Sequence, residues 1–166
     1  MDRADESTAG KRRRRESTPA QRALALLVRR EHSRQELTRK LVARGIDEDD
    51  AAAAVTKMAE SGWQDDTRFA CSLARMRAGN GYGPLRIRIE LAGHGLDDAT
   101  IARAFDALAE AGEDDWHARA ADLVERRFGP AGERTLAVQR KAADFLLRRG
   151  FDGDTVRAAT RAPPRR

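Results

Sequence analysis

Gly62-Trp-Gln-Asp-Asp-Thr-Arg-Phe-Ala70, then Arg75-Met-Arg77, then Gly79-Asn-Gly-Tyr-Gly-Pro-Leu-Arg-Ile-Arg-Ile-Glu-Leu91 is the stretch that decides the fold. It holds a turn, a carboxylate helix starter, an amphipathic run, a glycine-rich turn and a second run studded with arginine. Its last part is ambiguous. Leu85-Arg-Ile-Arg-Ile-Glu-Leu91 alternates apolar and polar residues, the pattern of a half-buried strand. Two features favour a helix. Pro84 stands where a first helical residue needs no N–H partner, and Gly93 stands where a helix ends. Wound at 100° per residue, Leu85, Ile89 and Ala92 form one stripe and Ile87 with Leu91 another. This helix would therefore have two apolar sides, one of them available to a neighbouring module or a partner.

The same plan occurs before and after this stretch. Gly45-Ile-Asp47 matches Gly95-Leu-Asp97 at an offset of 50 and Gly150-Phe-Asp152 at an offset of 105. Under those offsets Leu41 falls on Leu91 and Leu146, Leu37 on Ile87 and Ala142, and Ala54 on Ala104 and Ala159. Val55 falls on Phe105. A period near 50 residues with three helices in each unit is the mark of a tandem helical array. The expected organisation is an N-terminal basic arm over 1–20 and three-helix repeats over 21–62, 63–112 and 113–161. A basic tail over 162–166 closes the chain.

Local punctuation supports each unit. In the first, Ser33-Arg-Gln-Glu36 reads as a capping box, with Leu37, Leu41 and Val42 facing inward, and Asp47 caps a third helix. In the second, Asp65 or Asp66 starts a helix carrying Phe69, Leu73 and Met76, and Asp97 starts another with Ile101, Phe105 and Leu108. In the third, Trp116, Ala120, Leu123 and Val124 share a helix that ends at Gly129-Pro130. Leu136, Val138, Ala142, Phe145 and Leu146 share the next, and Asp152 or Asp154 starts the last. The expected fold class is all-α.

Composition agrees. Aromatic residues are 5% of the 166 and charged residues 36%, so aliphatic side chains must supply the packing. The single Cys71 excludes an intramolecular disulfide. No apolar run reaches the roughly 20 residues of a membrane span, and a soluble cytoplasmic protein is expected. The formal charge of +5 is carried by the ends: residues 1–22 contribute +3 and residues 161–166 another +3, leaving the body near neutral. Lys11-Arg-Arg-Arg-Arg15 reads either as an electrostatic arm for nucleic acid or as a solvated tail.

Candidate chemistry is sparse. His32, His94 and His117 are scattered, and no His–Cys or paired-Cys spacing suits a metal. The acidic clusters fall at helix starts, where carboxylates cap free N–H groups. Gly79-Asn-Gly-Tyr-Gly83 lacks the Lys-Ser/Thr of a phosphate loop and reads as a tight turn between helices. No cofactor is expected. Arg75, Arg77, Arg86 and Arg88 bracket that turn and are candidates for a local positive face, meeting phosphate or an acidic protein surface. Tyr82 is a candidate for base stacking or for covering the core, with the core preferred.

Gly62-Trp-Gln-Asp-Asp-Thr-Arg-Phe-Ala70, the Gly-Tyr-Gly-Pro84 turn with Arg86 and Ile87 behind it, and Arg29-Arg-Glu-His-Ser33 with Glu36-Leu37 and Lys40-Leu41 resemble the RecX family, bacterial regulators of the RecA recombinase. The likeness spans about 21–160 and is weakest in the third unit. It implies an elongated, curved array of three-helix modules that binds the RecA filament on single-stranded DNA. It further implies suppression of ATP hydrolysis, strand exchange and co-protease activity, with no active site. A monomer is expected, with Arg75, Arg77, Tyr82, Arg86 and Arg88 as partner-contact candidates. The basic arm and the arginines are candidates for direct nucleic-acid contact. A DNA-binding regulator built from helix-turn-helix modules is the competing reading.

Overall fold

The computed structural model describes residues 15–161. Residues 1–14, which make up most of the basic arm assigned to 1–20, and the basic tail 162–166 lie outside the described residues. Among the described residues there are nine α-helices and no strand. The first module holds α1 (Pro19–Arg29), α2 (Arg34–Ala43) and α3 (Glu48–Glu60). The second holds α4 (Asp66–Gly79), α5 (Pro84–Gly93) and α6 (Asp98–Glu110). The third holds α7 (Trp116–Phe128), α8 (Leu136–Arg149) and α9 (Gly153–Thr160). A single 3-10 turn, Ala131–Glu133, joins α7 to α8 and has no counterpart in the other modules.

The ambiguous stretch is helix: α5 covers Leu85 to Leu91. The acidic clusters cap. Asp47, Asp65, Asp97, Asp115 and Asp152 each accept a backbone N–H at the start of α3, α4, α6, α7 and α9. This satisfies donors that a helix leaves orphaned in its first turn.

Three differences from the sequence reading have local causes. The capping box forms at Thr18, not Ser33. Thr18 Oγ1 and Gln21 Oε1 exchange backbone N–H bonds at 3.1 and 2.9 Å, so α1 begins at Pro19, inside the segment assigned to the arm. Ser33 accepts from the Glu36 N–H, but the Glu36 carboxylate turns away to Arg30 and Lys40. Met76 and Leu136, read as inward-facing, are exposed by 51% and 71%. Met76 lies at the edge of the buried face of α4, and Leu136 lies on the far side of α8 from Phe145.

Each module has its own core. Leu37, Leu41, Val55 and Met58 fill the first; Phe69, Leu73, Ile87, Leu91 and Leu108 the second; Val124, Phe145, Leu146 and Phe151 the third. The repeat-related positions are equivalent in burial. Leu37, Ile87 and Ala142 are fully buried, and so are Leu41, Leu91 and Leu146. The helix pairs that pack most extensively all lie within a module. Trp116 packs against two of the three cores, the second and the third.

The modules meet through the ends of their middle helices. The Gly83 N–H donates to the Arg149 carbonyl at 2.7 Å and the Leu85 N–H to the Gly150 carbonyl at 3.0 Å. The C-terminus of α8 therefore abuts the N-terminus of α5. At the other end of α5, the Gln35 amide donates to the carbonyls of Gly93 and His94 at 3.0 and 3.1 Å. Ser33 Oγ lies 2.9 Å from His94 Nδ1. The C-terminus of α5 thus abuts the N-terminus of α2. Helix ends of opposite partial charge face each other at both joints, which favours the arrangement.

Candidate partner-binding groove

The joint between α8 and α5 builds the most distinctive surface of the protein. Helix α5 has no side-chain cap, and Pro84 at its first position has no N–H to satisfy. Its next free donor, the Leu85 N–H, is satisfied by the next module instead. So close an approach needs glycine. A Cβ on Gly83 would lie 2.5 Å from the Gly150 carbonyl carbon, and one on Gly150 would lie 2.4 Å from Arg86 Cβ. Gly150 also adopts φ of +90°, where a side chain is strained.

This docking opens a groove of about 680 Å³ lined by Arg77, Tyr82, Leu85, Arg86, Ile89, Glu90, Leu147, Arg148 and Gly150. Its apolar part is exposed: Leu85 by 50%, Ile89 by 73% and Leu147 by 53%. The second apolar side of α5 is thus left open, while Ile87 and Leu91 fill the core. Arg86 Nη1 donates to the Arg148 carbonyl at 3.2 Å. The Arg77 guanidinium is held by the Glu90 carboxylate through two hydrogen bonds of 2.8 and 2.7 Å. Those bonds raise its pKa above the ordinary arginine value. Arg86, Arg148 and Arg149 have no carboxylate partner among the described residues.

Tyr82 is half-buried against the second core, as the sequence reading preferred. Its ring is also crowded by cations. The guanidinium carbons of Arg149, Arg86 and Arg77 lie 4.7, 5.0 and 5.9 Å from its centroid.

Of the five candidate residues, the structure brings together Arg77, Tyr82 and Arg86. Arg75 is elsewhere, paired with Glu113 at 2.5 Å. Arg88 does not line the groove and stacks over Phe105 at 4.4 Å. The four arginines therefore do not form one positive face. Sequence reasoning missed Leu147, Arg148, Arg149 and Gly150, which come from the third module. The available signal was the open Leu85–Ile89 stripe, which asked for a neighbour.

A second cleft, of about 640 Å³, lies at the joint of the first two modules and includes Arg34, Arg39, Glu48, Asp66 and His94. Its charges balance, and it carries no exposed large apolar side chain. Among the described residues no group of three or more His, Cys, Asp or Glu side chains is placed to hold a metal ion. None of the described helices is long and apolar enough to cross a membrane.

Fold and groove define a class: an all-helical tandem array of three three-helix modules whose differentiated surface lies between modules. Comparison with known proteins specifies it. Residues 21–58, 65–104 and 113–160 match, in order, the family models for the first, second and third three-helix domains of RecX. The chain is 62% identical over 163 residues to the regulatory protein RecX of Stenotrophomonas maltophilia strain K279a, covering 98% of both chains. It is 56% identical over 161 residues to that of Xanthomonas axonopodis pv. citri strain 306, covering 97% of both. The chain belongs to the RecX family of regulatory proteins.

Solved structures agree on the fold. The crystal structure of RecX from Lactobacillus salivarius matches with a TM-score of 0.66 at 23% identity, covering 85% of this chain and 91% of that one. A second RecX crystal structure matches with a TM-score of 0.67 at 20% identity, covering 85% and 69%.

Proposed function

We propose that this protein is a negative modulator of the RecA recombinase. It binds the RecA filament on single-stranded DNA and suppresses its ATP hydrolysis, strand exchange and co-protease activity. It acts in the cytoplasm, as a monomer and without a cofactor. The observation that carries this reading is identity of 56–62% with regulatory RecX proteins along nearly the whole chain.

The architecture suits the task. Three linked modules can touch successive protomers of a filament, so modest contacts reinforce one another through effective concentration. Arg77, Tyr82 and Arg86 lie together on a surface shared by two modules, while Arg75 and Arg88 extend the candidate contacts to either side. The basic arm adds sequence-independent attraction to the nucleic-acid backbone, weakened by salt.

The test is RecA ATPase on single-stranded DNA with increasing amounts of the protein. Inhibition at substoichiometric protein is expected. Unchanged ATPase together with tight, sequence-specific duplex binding would instead identify a helix-turn-helix regulator.

A further inference from the structure

We infer that the groove between the second and third modules is a protein-docking site whose occupant is a short amphipathic, acidic segment of the RecA protomer. This rests on the proposed function and names the chemistry of its contact. The occupant carries two apolar side chains about one helical turn apart, with carboxylates on either side.

Three observations select that occupant over nucleic acid. First, the floor is aliphatic. Leu85 and Ile89 are i,i+4 neighbours on α5, and Leu147 of α8 faces them across the joint. A helix that inserts apolar residues at i and i+4 fits such a floor, whereas a sugar-phosphate backbone leaves it unfilled. Second, the rim carries cations that no acid neutralises. Arg86 and Arg148 are exposed, and neither meets a carboxylate among the described residues. Arginine at a rim matches carboxylates in pairs of hydrogen bonds. Third, the one aromatic ring in the groove is already occupied. The guanidinium carbons of Arg77, Arg86 and Arg149 lie 5.9, 5.0 and 4.7 Å from the Tyr82 centroid, so a base would have to displace guanidinium groups to stack on it.

The groove exists only when the third module is docked, because Leu147 and Arg148 belong to α8 and Leu85 and Ile89 to α5. Its two halves are held in register by backbone hydrogen bonds from Gly83 and Leu85. Recognition here therefore needs the full array rather than one module.

The experiment compares the full chain with Ile89→Glu/Leu147→Glu and with Arg148→Glu, read as inhibition of RecA ATPase on single-stranded DNA. Affinity for a fluorescent single-stranded oligonucleotide without RecA is measured alongside. Ile89, Leu147 and the Arg148 side chain are exposed, so circular dichroism and melting temperature should match the parent. At least tenfold more of either variant should be needed for half-inhibition. Ile89→Val/Leu147→Met should stay within twofold of the parent, and oligonucleotide affinity should be the same throughout.

Inhibition by the charged double variant within twofold of the parent would overturn the docking site while leaving the regulator reading intact. Parallel loss of inhibition and oligonucleotide binding would place nucleic acid in the groove and overturn it too. A parent that does not inhibit RecA would remove both proposals together.

Discussion

The two joints of the array use one geometry and opposite chemistry. At both, the C-terminus of one middle helix meets the N-terminus of another. Between α8 and α5 the contact is backbone to backbone, made possible by Gly83 and Gly150. It is reinforced by Arg149 donating to the Asn80 carbonyl and Arg119 to the Ala78 carbonyl. Leu123 reaches across beneath Gly81. Between α5 and α2 the contact is made by side chains. Ser33 meets His94, Gln35 caps the end of α5, the Asp66 carboxylate accepts the Arg34 N–H at 2.8 Å, and Arg68 pairs with Glu31 at 2.5 Å. The two backbone hydrogen bonds and the absence of room for a Cβ leave the joint between α8 and α5 little freedom. Side-chain bridges tolerate rotation. The second and third modules therefore form one unit around the groove, and the first module is attached by a polar, more adjustable joint.

The largest effect is expected where that backbone contact is made. Gly150→Ala adds a Cβ at 2.4 Å from Arg86 Cβ to a residue already at φ of +90°. Strain of roughly 1–3 kcal/mol for the left-handed backbone and a similar amount for the overlap should undock the third module. Because each module keeps its own core, the expected signature is local. The Gly83 and Leu85 amides lose hydrogen-exchange protection while the amides within α8 keep theirs. Gly45→Ala is the control. Its φ of +86° is similar, but a Cβ there meets nothing within 4 Å, so only the same backbone strain of roughly 1–3 kcal/mol applies, without the overlap. Equal losses from the two substitutions would break the distinction between the joints.

The polar joint should respond less. The Ser33 side chain is fully buried, accepts the Glu36 N–H at 3.1 Å and meets His94 Nδ1. Ser33→Ala removes a helix cap and leaves an imidazole nitrogen without its partner, at a cost of about 1–2 kcal/mol. A urea midpoint measured on the full chain checks this. A shift no larger than that of an exposed serine such as Ser72→Ala would show that the joint contributes nothing.

How far the sequence could be read follows from the range of the interactions. Helix starts and stops are local, and Asp47, Asp97 and Asp152 with Gly45, Gly95 and Gly150 mark them by repetition. Core positions follow the same register, so Leu37, Ile87 and Ala142 were recoverable without coordinates. The groove was only half legible. The open stripe of α5 could be seen in Leu85 and Ile89, but Leu147 and Arg148 reach it only through a joint 62 to 66 residues away in the chain. The positive face failed for a related reason. Four arginines close in sequence were drawn to Glu113, Glu90, Phe105 and Tyr82 by tertiary neighbours that spacing does not reveal. His94, one of three scattered histidines in the sequence, meets Ser33 of another module.

The smallest effect, and the sharpest test of which joint is polar, is a pH dependence. His32 is almost wholly buried beside the first joint, and its carbonyl accepts from the Gln64 amide at 3.3 Å. Burial pushes the His32 pKa below its ordinary value of 6.5; the Arg30 carbonyl, 2.9 Å from Nδ1, opposes that shift without cancelling it. With Nδ1–H donating to that carbonyl, Nε2 accepts from the Lys40 ammonium at 3.3 Å, a geometry that suits the neutral ring. Arg30 and Lys40 disfavour protonation and Glu36 favours it. The unfolded chain takes up its proton near pH 6.5 and the folded chain only at lower pH. The stabilisation is therefore complete above about pH 6.5 and is lost as pH falls from there toward the folded value. Glu36 does not interfere in this window. Burial pushes its pKa up, but the Arg30 hydrogen bonds prevail and hold it at about 2. Between pH 7.5 and 5.5 the melting temperature of the parent should fall more steeply than that of His32→Gln. The Gly83 and Leu85 amides of the other joint should keep the same protection at both ends of the range. Equal slopes for parent and variant would show that the first joint is no more sensitive to protonation than the second, and the contrast between them would then rest on geometry alone.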